Sequence, residues 1–308
     1  MNEARFHFPF MRWRKYWIGV SAAMLLVTVV ALIINAATLG MPLNFGIDFT
    51  GGTLIDVKFG QPATLADIRA AYTAHGVHDI VVQAFESSHN REFKLTTPAI
   101  PEEQEKAIFD ELGGKFGGYE IVSKDKVSPV IGAELRRDAV LAVGLATVAM
   151  IVYLTIRFEI RFAVAAIVAM LHDILLTVGA FAVFRLPVDT SFVVAVLTVY
   201  GYSVNDTIII FDRIRERLHA RRKEPLEELI NVSINQTLSR TINTVVTVLL
   251  ALLAVLVFGG SSVHVLALAL IIGIILGTYS SIFIASPVYL YLVQRTERRA
   301  HGKLARAS

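Results

Sequence analysis

Six stretches of the chain, near residues 16–39, 138–156, 162–184, 188–211, 237–258 and 264–292, stay almost free of charge for long enough to cross about 30 Å of hydrocarbon as helices. Residues that are 55% hydrophobic and only 18% charged over 308 positions would be hard to keep in solution, so composition agrees with the run lengths. The expected fold class is a multi-pass α-helical membrane protein with six transmembrane helices. Helix 1 does not read as a cleaved signal, because its uncharged run is about twice a signal core and no small-x-small site ends it. It is expected to stay as an anchor.

Charge orients these helices. Arg5, Arg12, Arg14 and Lys15 precede helix 1, Arg157 and Arg161 lie between helices 2 and 3, and Arg213, Arg215, Arg217, Arg221, Arg222 and Lys223 lie between helices 4 and 5. Arg295, Arg298, Arg299, Lys303 and Arg306 follow helix 6, whereas the opposite short loops hold only Arg185. Positive-inside asymmetry therefore predicts that residues 1–15 and 295–308 are both cytoplasmic. The same asymmetry accounts for a sequence pI near 9.1, since the excess base sits where anionic membrane lipid attracts it, and no nucleic acid is implied. With no cysteine, disulfides, thiolate metal sites and cysteine nucleophiles are excluded.

Residues 40–137 read as a soluble domain outside the cytoplasm. Strands are predicted at Thr53–Phe59, Ile80–Ala84, Glu92–Thr96 and Tyr119–Val127, with a turn at Ser87-Ser88-His89-Asn90. Thr64-Leu65-Ala66-Asp67 resembles a capping box opening a helix to about His75, and Pro101 precedes an amphipathic helix over Glu102–Gly113. The order βαββαβ matches a ferredoxin-like α+β unit. Residues 138–294 carry helices 2 to 6. Within them Asp212–Ser239 alternates Arg and Glu around apolar positions with Pro225 as a break, which predicts two short amphipathic helices on the membrane surface. They serve either a docking partner or a solvated connector.

Polar residues at membrane depth are the candidates for function. Asp206 interrupts the apolar run Leu186–Phe211, and holding a carboxylate there costs about 2.5–3.5 kcal/mol, so such groups pair, face water or carry protons and ions. On helix 4, Ser191, Thr198, Asn205 and Asp212 recur every seven residues beside Tyr202, so one face carries most of its polar groups; on helix 5, Arg240, Asn243, Thr244 and Thr247 likewise share one face. These stripes are expected to face each other, because unsatisfied polar groups facing lipid tails cost several kcal/mol. Asp206 lies roughly 9 Å inside the border marked by Asp212, within reach of Arg240. Two readings stay open: a fixed Asp206–Arg240 ion pair, or a site that handles protons or cations, with Tyr202, Ser203, Asn205, Thr207, Asn243, Thr244 and Thr247 ordering water nearby.

His172 and Asp173 near the middle of helix 3 form a second candidate for a relay or a polar contact, although neighbours on a helix point about 100° apart and are no ready-made dyad. His264 and Asp189 read as interfacial. Gly273, Gly277 and Ser281 form a small-xxx-small ladder for close helix contact, within the chain or with a partner. Gly51-Gly52 reads as a tight turn. No Walker motif, Rossmann fingerprint, HExxH or serine elbow is present, so no catalytic residue, metal site or cofactor is expected and the chain does not read as an enzyme. Energy for any work must come from an ion gradient or a partner.

Three motifs, Asn44-Phe45-Gly46-Ile47-Asp48-Phe49-Thr50-Gly51-Gly52, Gly201-Tyr202-Ser203-Val204-Asn205-Asp206-Thr207 continuing to Glu216, and Asn235-Gln236-Thr237-Leu238-Ser239-Arg240-Thr241, occur in this order. Together with the six-helix layout they closely resemble the SecF family, the smaller subunits of the bacterial SecD–SecF translocation factor. The Phe-Thr-Gly-Gly form favours SecF over SecD, whose motif usually reads Leu-Arg-Gly-Gly. The resemblance implies a place in the bacterial cytoplasmic (inner) membrane, pairing with SecD, association with YajC and the SecYEG channel driven by SecA, and use of the proton motive force to draw preproteins outward. It also implies kinship with the RND transporter bundle, and it puts Asp206 and Arg240 on the proton path, with protons as the coupling ion. Two rivals remain: an RND-type exporter of lipid or small solute, and a purely structural assembly subunit.

Overall fold

The computed structural model describes residues 7–85, 90–220 and 224–307 and separates into two compact units, one of Met1–Asn44 with Ala142–Ser308 and one of Phe45–Leu141. In chain order, a 3-10 turn at Phe10–Trp13 leads into α1 (Arg14–Leu39), followed by β1 (Asn44–Phe45), α2 (Ile47–Thr50), β2 (Gly52–Phe59), α3 (Leu65–Ala74), β3 (Val81–Ala84), β4 (Glu92–Thr97), α4 (Glu102–Lys115) and β5 (Tyr119–Val127). Then come α5 (Pro129–Arg157), α6 (Ile160–Val183), β6 (Pro187–Val188), α7 (Thr190–Ala220), α8 (Leu226–Phe258), α9 (Ser261–Ser280), a π turn at Ser281–Ala285 and α10 (Ser286–Ala307).

Among the described residues six helical spans are long and apolar enough to cross a membrane: Phe10–Leu39, Pro129–Arg157, Ile160–Val183, Thr190–Ala220, Leu226–Phe258 and Val263–Arg298. α6, α7 and α9 make the packed centre of their unit, while α1 and α8 leave most of their length uncovered. Small residues explain why α6 is central. Ala163, Ala165, Ala166 and Ala169 are buried along it, and a Cβ added at Gly179 would overlap the side chain of Thr28, so α1 crosses α6 at that glycine. Toward its start, Phe162 stacks on Tyr289 with ring centroids 4.0 Å apart and sits 5.0 Å from Phe211.

Asp212–Ser239 does not form two separate surface helices. Its first part is the end of the 31-residue α7 and its last part the start of the 33-residue α8, with Pro225 before the first turn of α8. Each arm continues a membrane helix, so the amphipathic residues are held by the bundle: Leu229, Ile230 and Ile234 are fully buried.

In the second unit β2, β4 and β5 are joined by antiparallel pairing with β2 in the middle, and β3 pairs antiparallel with β4, which gives the strand order β3-β4-β2-β5. Alternation in β2 puts Ile55, Val57 and Phe59 on one face, where they meet Phe93 and Leu95 of β4, Ile68 and Tyr72 of α3, and Ile108, Phe109 and Leu112 of α4. Thr64 caps α3, with its Oγ1 accepting from Asp67 N at 3.1 Å and donating to Asp67 Oδ2 at 2.6 Å. Of the predicted 87–90 turn, residues 87–89 lie outside the described residues.

Candidate functional site

Three helices meet around two buried carboxylates. α7 turns Ser203, Asp206 and Thr207 inward, the i, i+3 and i+4 spacing of one helix face. α9 packs against that face through small residues: a Cβ at Gly273 would overlap Val199, one at Gly277 would lie 3.0 Å from the Cβ of Ser203, and Ser281 Oγ is 2.8 Å from Thr207 Oγ1. The ladder Gly273, Gly277, Ser281 thus fits rung by rung against Val199, Ser203, Thr207, both with a four-residue step. It is a contact within the chain.

α6 supplies His172 and Asp173, 5% and 0% exposed. Asp173 Oδ2 accepts from Ser203 Oγ of α7 at 2.5 Å and from Ser280 Oγ of α9 at 2.6 Å, so one oxygen ties three helices. Its Oδ1 lies 3.0 Å from His172 Nδ1. The sequence expectation that these neighbours form no dyad is therefore corrected. Their Cα–Cβ bonds do diverge, but an imidazole is long enough to swing back over the next residue's carboxylate. Among the described residues His172 Nε2 is buried without a hydrogen-bond partner, and the ring lies nearly parallel to Tyr279 at 6.2 Å.

Asp206 is 4% exposed yet far less well held. Thr278 Oγ1 reaches its Oδ2 at 3.3 Å, long for an O–H···O bond, while the same hydroxyl, with one proton to give, lies 2.9 Å from Ile274 O. Among the described residues no ion pair joins Asp206 to Arg240, which is exposed on α8.

The polar stripes are not brought face to face. Thr198, Asn205 and Asp212 are exposed and Ser191 and Tyr202 half-buried; on α8, Arg240, Asn243 and Thr247 are exposed and Thr244 half-buried. The reason is geometric. Both sets of residues repeat every seven positions, but they occupy different faces: Val196, Val199, Ser203, Asp206 and Ile210 are buried, and Asn205, two residues on from Ser203, lies about 200° around the helix from it. α9 takes the place expected of α8.

At the start of the second unit, Gly51 and Gly52 have φ of +74° and +132°. A Cβ on Gly51 would lie 2.7 Å from the backbone of Pro129, one on Gly52 would meet the carbonyl oxygen of Thr97, and one on Gly132 would lie 2.8 Å from Gly51 N. Backbone packs on backbone here, which only glycine permits. Phe49 is buried and meets Phe45 edge-on at 6.1 Å, Thr50 Oγ1 donates to Gly46 O at 3.1 Å, and Asp48 lies in the first turn of α2.

Two family models match the chain: SecD/SecF GG motif over residues 36–63 and protein export membrane protein SecD/SecF, C-terminal, over 108–295. The protein translocase subunit SecF of Desulfurispirillum indicum is 38% identical over 296 residues, covering 93% of this chain and 92% of its own. That of Magnetococcus marinus is 39% identical over 305 residues, covering 97% and 96%. The chain belongs to the SecF family. The crystal structure of SecDF from Thermus thermophilus, a translocon-associated membrane protein, matches 96% of this chain at 34% identity with a TM-score of 0.82, and the chain spans 40% of that SecDF polypeptide.

Two of the SecF-like motifs thus acquire a packing reason. The double glycine is the backbone crossing at Pro129 and Thr97. In the third, Asn235 is a clamp: its Oδ1 accepts from Phe8 N at 2.9 Å and its Nδ2 donates to Phe8 O at 2.9 Å, while Arg14 reaches Glu227 at 2.6 Å. Sequence reasoning missed Thr278 and Ser280. The available signal was the four-residue step of the ladder, which places Thr278 and Ser280 beside Gly277 and Ser281. Among the described residues no group of three or more His, Cys, Asp or Glu could hold a metal ion.

Proposed function

We propose that this chain is an accessory subunit of a bacterial Sec preprotein translocase, which together with SecD uses the proton motive force to promote protein export across the cytoplasmic membrane. Asp206 is the coupling carboxylate: it takes a proton from one side, gives it to the other, and its charge state biases the packing of α7 against α9. The observation that carries this is the contrast between burial and support, a 4% exposed carboxylate whose hydrogen bond from Thr278 is 3.3 Å long. An ionised group so placed is weakly compensated, so its two charge states differ in the packing they favour.

Further parts of the reading follow the family and the charge pattern. Both termini face the cytoplasm, and the β2 to β5 unit is an exported domain, ferredoxin-like because its order βαββαβ comes with the strand order β3-β4-β2-β5. Arg240, Asn243 and Thr247 lie on the face of α8 that the chain leaves uncovered, and in a bilayer such a face requires protein or water. SecD is the neighbour proposed for it, with SecYEG, SecA and YajC as further partners and protons as the coupling ion, without a cofactor.

The test is Asp206→Asn in membranes containing the partner. One proton falling through 100 mV supplies about 2.3 kcal/mol, a bias of about 50-fold. The variant is expected to assemble and to lose the gradient-dependent part of preprotein movement. Full gradient dependence in Asp206→Asn, or recovery in Asp206→Asn combined with Arg240→Leu, would leave only a structural role for the pair.

A further inference from the structure

Asp206 leaves a second buried titratable cluster unused. His172 and Asp173 share a hydrogen bond of 3.0 Å, and the other imidazole nitrogen is buried and, among the described residues, unpartnered. That contact fixes the tautomer. An ionised carboxylate only accepts, so Nδ1 carries the hydrogen donated to Asp173 Oδ1, and in the neutral ring Nε2 is then the bare nitrogen. The resting pair is therefore a neutral imidazole oriented by a carboxylate, with one basic nitrogen open.

We propose that His172 is a second proton-loading site, distinct from Asp206, and that Asp173 is the positioning residue that reads its occupancy out to the bundle. On loading, an N–H bond forms at Nε2 while Nδ1–H stays donated to Asp173, and the pair passes from a net charge of −1 to 0; unloading breaks that N–H bond and restores the lone pair. The readout lies on the opposite oxygen. Asp173 Oδ2 holds Ser203 and Ser280, so an imidazolium drawing negative charge toward Oδ1 weakens both bonds between α6 and the α7–α9 seam. The next residue after Ser280 begins the π turn Ser281–Ala285, an interruption of the regular α-helical hydrogen bonding between α9 and α10.

The groups facing the pair are few. α7 presents Ser203 and, one turn on, Asp206; α9 presents Tyr279 and Ser280, with Tyr279 OH bonded to Trp17 O and lying 2.9 Å from Ser21 Oγ of α1. α1 carries no charged side chain between Lys15 and Leu39, and the charged residues of α6 are Arg161, near its start, and Asp173 itself. α10 contributes Tyr289, engaged with Phe162. Among the described residues Asp173 forms its ion pair with His172, which makes His172 the group that sets its charge balance.

This inference rests on the proton-coupled reading above but is tested apart from it. The full chain has eight histidines, and replacing the other seven by Gln leaves His172 alone to report by nitrogen-15 NMR in lipid nanodiscs. Between about pH 8 and 5 the expected change is from a protonated Nδ1 with bare Nε2 to two protonated nitrogens. Asp173→Asn should mix the tautomers, and Ser280→Ala, which leaves both titrating groups in place, should move the midpoint by at least about half a unit if the seam and the proton share Asp173. A His172 that starts with Nε2 protonated, or takes up no proton across this range, overturns the loading site; an unmoved midpoint in Ser280→Ala overturns the readout. Either result with Asp206→Asn still abolishing gradient-dependent export sinks this inference alone, since the NMR measurement involves no export.

Discussion

Asp67 and Gly51 show how local chemistry fixes the second unit. The Lys115 ammonium, bonded at 2.7 Å, and then the Thr64 hydroxyl hold the Asp67 carboxyl below the usual carboxylate range. Because the folded value is depressed, its contribution to stability is present above the unfolded value near 3.9 and is lost as pH falls through the folded value. Asp56 works the other way: burial, opposed by Lys94, raises its carboxyl, so acid relieves rather than removes its contribution. Lys115→Ala should return Asp67 toward an ordinary carboxylate, read by its carboxyl carbon-13 titration in the full chain; an unchanged midpoint would mean that the ion pair is not formed in solution. Gly51→Ala should cost about 1–3 kcal/mol for the positive-φ backbone and a further clash penalty of about 1–3 kcal/mol against Pro129. Gly76→Ala, at φ +80° with nothing within 4 Å, should cost only the first. Equal hydrogen-exchange protection in the two variants would refute the close crossing.

At the scale of elements, the seam of α7 with α9 is the contact whose disruption is most informative. Gly277→Leu drives a side chain into Ser203 and is expected to cost about 1–3 kcal/mol, lowering the melting temperature in detergent, whereas Gly144→Leu on α5, with open space around it, should leave it unchanged. Matching behaviour of the two variants would refute the internal ladder. The ladder was legible in the sequence because small-xxx-small is a spacing rule; its partner was not, because Val199, Ser203 and Thr207 are an ordinary polar and apolar mixture until α9 lies on them. The six spans were likewise legible, since run length alone defines them, and the strands of the second unit followed from alternation. Which face of α7 is inside was not: the polar stripe through Asn205 looked like the one to bury, and the identity of the neighbouring helix decided otherwise. The His172–Asp173 bond escaped for a related reason, because helix spacing describes Cβ directions and not the reach of a ring.

For the whole molecule, topology is the property that a single experiment fixes. Cysteine substitutions at Glu103 and Glu216, both exposed and in a chain without native cysteine, should react oppositely with an impermeant thiol reagent in sealed cells, Glu103→Cys labelled and Glu216→Cys protected. The reverse pattern would invert the orientation. The clamp between Phe8 and Asn235 carries a consequence for biogenesis. Its two partners are 227 residues apart, so while the chain emerges from the ribosome the backbone groups of Phe8 wait for the start of α8. α1 can meet α6 at Gly179 long before that. Asn235 precedes α9, so the latch can fasten before the α6–α7–α9 centre is complete, and a chain stalled after α7 would have α1 and α6 but an unfastened leading segment.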